Sequence, residues 1–239
     1  MAPGWLWGVL QRLFLTPLRR IVGHSEVSFH HHYNGIRLTT KEESQQCLID
    51  LCRSVTPSCW LNPLLFNGHM QTCWTAVTSA EIEVYYKRKI FHSDDPIYTG
   101  DFAVDFTVES HNFTQPDLPP RTASYNDDEW QRVQGGSTDS KPMAIVLHGL
   151  AGGSNEVYLR AVLKPLVDAG WQACVVNARG CAMSEITSEV LYNARATWDV
   201  RQTVKWLRAT YPHRPLFGLG FSLGANILVN VSGFARHLC

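Results

Sequence analysis

The chain has 239 residues, 45% of them apolar and 18% charged, with 21 basic and 21 acidic side chains. That length can bury one sizeable core, and the composition is not that of a disordered segment. A net charge of zero, without any long run of like charge, gives no electrostatic reason to expect nucleic acid as a partner, so function has to be argued from a site.

Residues 1–26 read as an N-terminal segment separate from the rest. Within it, residues 4–22 are rich in Trp and Leu but interrupted by Arg12, Pro17, Arg19 and Arg20. A membrane span needs about 20 uninterrupted apolar residues, and a signal peptide places its positive charge before its apolar stretch. Two readings stay open: a basic, Trp-bearing amphipathic helix lying in a bilayer interface, or a segment that packs on the domain or is disordered. The expected location is intracellular, peripheral on a membrane or lipid surface.

Residues 27–239 read as one partial α/β domain. Residues 27–40 alternate apolar and polar around Asn34-Gly35, which predicts a β-hairpin. Three consecutive histidines, His30, His31 and His32, point to alternating faces of such a strand and cannot converge on one metal ion. Periodicity predicts a helix over Lys41–Val55, with Cys47, Leu48, Leu51 and Cys52 on one face and Pro57 as its stop. A turn-rich stretch at 61–75 leads into a strand at 80–90, and a second strand follows near 101–108. Residues 109–141, with Pro116, Pro119, Pro120, Gly135 and Gly136, read as a polar loop or insertion.

From residue 143 the pattern becomes regular. Ala144–Leu147 is a short apolar run of the kind buried on both faces of a parallel sheet. A helix is expected over Glu156–Ala169, a strand over Gln172–Val176 and a turn at Asn177–Gly180. A second helix follows over Asn193–Ala209, with Ala196, Val200, Val204 and Leu207 on its buried face. The next strand, Leu216–Phe221, runs directly into a helix beginning at Ser222. Strands and helices alternating in this way predict an α/β fold, mainly parallel, with helices on both faces of the sheet.

The seven cysteines (Cys47, Cys52, Cys59, Cys73, Cys174, Cys181, Cys239) are odd in number and form no C-x-x-C pair. Free thiols are expected, with no disulfide framework and no zinc site. The sequons at Asn112 and Asn230 matter only in a secreted protein. No cofactor or metal is expected.

The chemistry gathers at two loops. Gly220-Phe221-Ser222-Leu223-Gly224 is a G-x-S-x-G pentad placed between an apolar strand and a helix. Its glycines allow a turn sharp enough to raise the serine above the sheet, at a helix N-terminus that favours developing negative charge. Ser222 is the candidate nucleophile. The run His148-Gly149-Leu150-Ala151-Gly152-Gly153 follows the first apolar strand, where a loop amide pairs with the amide after the nucleophile to hold an oxyanion. The candidate donors are the N–H groups of Leu150 and Leu223, with Gly149, Gly152 and Gly153 allowing close backbone approach. A phosphate-binding loop is the competing reading, but the Lys-Ser/Thr of a Walker loop and the full G-x-G-x-x-G are both missing.

Beyond the pentad, the blocks HGLAGGSNEVYLR, VVNARGCAMS, LYNARATWDVR and GFSLGANIL, together with LFNGHMQTCW, resemble those of the YheT-like branch of α/β-hydrolases over residues 60 to 235. The resemblance implies a Ser–Asp–His triad on an eight-stranded core sheet, and a lipid-like or medium-chain ester as substrate. Water or an alcohol would accept the acyl group, since the branch includes lipases, esterases and alcohol acyltransferases. Ser222 matches the nucleophile. Asn177, Arg179, Asp199 and Arg201 match family positions and are expected to make turn and helix contacts, not chemistry.

In this fold the acid and the histidine follow the nucleophile. Residues 223–239 contain no Asp or Glu, and His237 would lie about 20 Å along the helix that starts at the nucleophile. His148 has no recognisable orienting acid, and His69 reads as a turn residue. The expectation is a partial hydrolase domain without its last strands and helices, weak or inactive in ester turnover, whose last strand is a sheet edge. The alternative is a non-catalytic relative that binds acyl lipid or a protein partner in the same pocket.

Overall fold

The structure is a computed structural model that describes residues 24–25, 27–31, 35–39, 44–60, 62, 64–65, 67–77, 81–112 and 115–235. The proposed interfacial segment lies almost wholly outside these residues. The chain divides into two compact units, residues 1–79 and 80–239, where the sequence suggested one domain from residue 27.

In the first unit, β1 (His24–Ser25) pairs antiparallel with β4 (Cys59–Trp60), and β2 (Arg37–Thr39) with β3 (Gln45–Cys47). The hairpin partner is therefore not the one expected. Residues 27–31 belong to no strand, His32 and Asn34 lie outside the described residues, and Arg37 faces Cys47 instead. Because Gln45–Cys47 is committed to this ladder, the expected helix starts only at Leu48, as α1 (Leu48–Val55). Its apolar stripe is half-buried. Within the expected turn-rich stretch lies a second helix, α2 (Gly68–Val77), whose Met70 amide donates to the Asn67 side chain at 2.9 Å. Asn67 thus caps a helix that the surrounding glycine and asparagine disguise. His69 is exposed in its first turn.

The second unit holds a six-stranded sheet. Its strands are β5 (Tyr85–His92), β6 (Asp101–Val108), β7 (Thr122–Ser124), β8 (Met143–Leu147), β9 (Gln172–Val176) and β10 (Leu216–Gly220), in the order β10-β8-β9-β6-β5-β7. The pairings β10–β8, β8–β9 and β5–β7 are parallel; β6 runs antiparallel to both of its neighbours. Side-chain alternation along β8 explains why helices cover both faces. Ala144 and Val146 pack with Leu159 and Leu163 of α4 (Val157–Asp168). Met143, Ile145 and Leu147 pack on the other face with Val200 and Leu207 of α5 (Trp198–Thr210) and Ile227 of α6 (Leu223–Ala235). At the sheet's edge, β10 pairs only with β8 among the described residues, and Phe217 is 46% exposed there.

Residues 109–141 are not wholly loop. They contain β7 and a helix, α3 (Asp127–Gln134), closed at its start by a capping box. The Asn126 side chain accepts from the Glu129 amide at 2.8 Å, and the Glu129 carboxylate accepts from the Asn126 amide at 3.1 Å. Trp130 of this helix is buried against Trp206, ring centroids 5.2 Å apart, and edge-on to Phe91. One buried indole thus ties an otherwise polar helix to the core. Among the described residues no helix is long and apolar enough to cross a membrane.

Candidate active site

The site forms where two parallel neighbours end side by side. Gly220, the last residue of β10, is level with Leu147, the last residue of β8, so the loops that follow emerge at one height above the sheet. The Phe221 amide extends the ladder by one bond, donating to the Leu147 carbonyl at 3.0 Å. The chain then reverses at Ser222, whose φ of 51° is left-handed and unfavourable for any residue with a Cβ. α6 begins at the next residue. This is the strand–turn–helix elbow that the pentad predicts, and Ser222 is exposed at its tip.

Two glycines make the elbow possible. A Cβ on Gly220 would sit 2.5 Å from the Ala225 Cα, and one on Gly224 would sit 2.5 Å from the carbonyl oxygens of Leu147 and His148. Both obstacles are backbone, so neither can move aside. The turn uses the amides of Gly224, Ala225 and Asn226 for its own bonds, to Phe221 and Ser222 carbonyls. The Leu223 N–H donates to no group among the described residues, which leaves it available at the helix N-terminus.

The facing loop reaches within contact of the serine. A Cβ on Gly149 would lie 3.5 Å from the Ser222 Cβ. The Gly152 amide donates to the Gly149 carbonyl at 3.2 Å, closing a tight turn. Gly153 passes so close to the 177–184 loop that a Cβ there would meet the Ala182 Cβ at 2.6 Å. Leu150 is 72% exposed at the tip, and Leu150 and Leu223 share one open hollow with Cys181, Ile186, Leu191 and Tyr192. Ile186, Leu191 and Met183 are themselves exposed. The walls of this hollow, which reaches Leu223 next to Ser222, are largely apolar, with Arg179 and Asn193 also lining it.

His148 is buried and fully engaged. Its Nε2 accepts from the Ala178 amide at 3.0 Å, so Nδ1 carries the proton and donates to the Gly149 carbonyl at 2.6 Å. Burial holds its imidazole below the ordinary range, and the bond to Gly149 only partly opposes this. A ring whose single lone pair is taken by a backbone amide is a strut, not a base. The Ser222 Oγ makes no hydrogen bond among the described residues, and His237 lies outside them. No group of three His, Cys, Asp or Glu side chains converges as metal ligands would among the described residues.

Two cysteines of this unit are made poorer nucleophiles by burial. Cys174 lies in the core and burial pushes its thiol up to about 12; Cys181 is raised for the same reason.

The sequence-derived polar residues do mainly what their positions suggest. Arg179 forks onto Asp199 at 2.9 and 2.7 Å and reaches the Tyr98 carbonyl at 2.9 Å. Asn177 donates to Asp105 at 2.8 Å. Asp105 belongs to no motif. It is fully buried at the centre of β6, takes a two-bond fork from Arg88 at 2.7 Å each, and accepts from the Ser154 hydroxyl at 2.5 Å. The Ser154 amide donates to Asn177 at 3.0 Å. This network bolts the far end of the Gly-rich loop to the middle of the sheet. Its sequence signal is the second carboxylate of the strand DFAVDFTV, flanked on both sides by apolar residues.

Residues 142–238 match the alpha/beta hydrolase fold family. The chain is 38% identical to a monoacylglycerol lipase of Saccharomyces cerevisiae, the alignment covering 71% of this chain and 41% of that protein. It is 30% identical to the medium-chain fatty acid ethyl ester synthase/esterase 2 of the same yeast, over 86% of this chain and 54% of the relative. To the putative esterase YheT of Escherichia coli it is 32% identical, over 37% of this chain and 26% of the relative. The chain thus spans about half, or less, of the length of the curated relatives it matches. With its parallel strands, its elbow at Ser222 and these matches, the chain has the α/β-hydrolase fold and is similar to esterases and lipases built on it.

Proposed function

We propose that the chain carries the nucleophile and oxyanion half of a serine carboxylic-ester hydrolase or acyltransferase acting on medium-chain or lipid-like esters. The observation that carries this reading is the left-handed, exposed Ser222 at the elbow, next to Leu223 and in contact range of the Gly149 turn, where the Leu150 and Leu223 amides donate to no group among the described residues. The Ser222 Oγ attacks the ester carbonyl carbon, and the carbonyl oxygen takes the negative charge and is held by the two N–H groups. Collapse expels the alcohol and leaves an acyl group on Ser222. Water or a second alcohol then takes the acyl group and frees the serine. The proton that leaves Ser222 and reaches the departing alkoxide needs a base, a role that falls in this fold to a histidine after the nucleophile in the chain. The apolar walls of the hollow, Ile186 and Leu191 among them, support an acyl chain as the bound group. The two yeast relatives, named for monoacylglycerol and for medium-chain ethyl esters, support the same substrate class.

One observation favours a second reading, an acyl-lipid binder without turnover: the Ser222 Oγ has no hydrogen-bonded base among the described residues. A fluorophosphonate probe separates the two. The hydrolase reading expects labelling of the wild-type chain that is abolished in Ser222→Ala. No labelling of the wild type, with a fluorescent medium-chain ester still bound and uncleaved, would select the binder.

A further inference from the structure

Three successive amides run through the turn Gly149–Leu150–Ala151, and they are treated differently. The Gly149 N–H donates to the Tyr158 hydroxyl at 3.0 Å, and the Ala151 N–H donates to the Tyr192 hydroxyl at 3.1 Å. The Leu150 N–H between them donates to no group among the described residues. The tyrosines come from separate places: Tyr158 from the first turn of α4, Tyr192 from the irregular segment before α5. The Tyr192 hydroxyl is not needed merely to satisfy an amide, since Ala151 is exposed and water could accept there; Gly149, bonded to Tyr158, is half-buried. What a fixed acceptor adds is direction.

Direction matters because the turn is strained. Ala151 has a φ of 55°, in the left-handed region that a residue with a Cβ avoids, so the chain would relax by rotating its peptide planes. The Gly149 and Ala151 amides belong to the planes on either side of the one carrying the Leu150 N–H. Pinning both outer planes restrains the middle one. The acceptors are themselves held. Tyr192 lines the same hollow as Cys181, whose loop is anchored by the Arg179–Asp199 fork. The Tyr158 ring lies against Phe221, centroids 5.0 Å apart, so one side chain touches both the Gly-rich loop and the residue before Ser222.

We propose that Tyr158 and Tyr192 are positioning residues that clamp the amides flanking Leu150, so that the Leu150 N–H is held toward the carbonyl oxygen of an ester at Ser222. This rests on the reading of Ser222, Leu150 and Leu223 given above. It adds two residues that never touch the ester and act through the backbone of the loop.

The test uses the full 239-residue chain and its Tyr158→Phe and Tyr192→Phe variants, with matching thermal melts to show that each folds. Amide hydrogen exchange by NMR reads the clamp directly. Exchange at Ala151 should rise about 10-fold or more in Tyr192→Phe, and at Gly149 in Tyr158→Phe, as the acceptor is lost. Phosphonylation of Ser222 by a fluorophosphonate reads the consequence. The maximal rate should fall about 10-fold in each variant with the half-saturating probe concentration unchanged, a smaller loss than removal of an oxyanion donor outright. Unchanged exchange at both amides overturns the clamp, as does faster exchange with an unchanged phosphonylation rate. If the wild type is not phosphonylated, the reading of Ser222 fails, and the exchange measurement decides the clamp by itself.

Discussion

The elbow at residues 220–224 keeps its shape with its own backbone, whereas the loop at 148–154 that faces it depends on side chains from four other places. At the elbow, two glycines let main chain pass against main chain at distances no Cβ would allow, and the turn closes on its own carbonyls. The facing loop is held by Tyr158, by Tyr192, by Asp105 with Asn177, and by the Ala178 amide on His148. The first arrangement is local and can be read from five consecutive residues. The second is assembled from residues up to 72 positions apart, as in the Asn177–Asp105 bond, and it offers more ways to adjust the site without remaking it.

The largest effect is expected at the elbow: Gly224→Ala should destabilise the fold by about 3 kcal/mol or more, because its Cβ meets two carbonyl oxygens that cannot retreat. A variant as stable as wild type in urea titration would show that the strands can part there. Nearly as large is Asp105→Ala, which strands the buried Arg88 guanidinium and should cost about 3–5 kcal/mol. If the loop depends on distant side chains as argued, exchange at the Ser154 amide should rise in this variant more than exchange at Gly224. Smaller and opposite in sign, Ser222→Gly should stabilise the chain by about 1 kcal/mol by relieving the left-handed φ, while abolishing any acyl transfer. A neutral or lower melting temperature would mean that the elbow stores no strain at the serine.

The smallest effect is one of pH. His148 is held below its ordinary pKa in the folded chain, so the unfolded chain binds a proton first as pH falls. The stability contributed by the neutral ring is complete above about pH 6.5 and is lost as pH falls from there toward the lower folded value. Between pH 7 and 5, the urea midpoint of the wild type should drop more steeply than that of His148→Gln, and parallel curves would remove the imidazole from the account.

Legibility followed the distance between cause and effect. The strands β8, β9 and β10 and the elbow announce themselves through short apolar runs and a pentad, all local. The capping box of α3 was also local, with Asn126 three residues before Glu129, but prolines and glycines on both sides made the whole stretch read as loop. The buried Trp130, with Tyr125 and Val133 packed on the same cluster, turns that polar segment into part of the core. β2 found β3 and not the segment before it, because pairing is decided by which strand is in reach and not by a turn signal alone. Asp105, Tyr158 and Tyr192 carry no spacing rule. A carboxylate in an apolar strand and two ordinary tyrosines gain meaning only when the sheet brings β6, α4 and the segment before α5 to the same loop.

The common level at which β8 and β10 end has a consequence for how such a molecule can vary. Leu147 and Gly220 are register partners, and each strand residue advances the chain by about 3.3 Å and reverses its facing. Inserting one residue in either strand would lift one loop past the other and turn the core side chains of that strand outward. Insertions in the segments 109–121 or 185–195 would leave this alignment intact. The lengths of two five-residue strands act as a gauge for the whole upper surface, and loops can diverge freely only because that gauge does not.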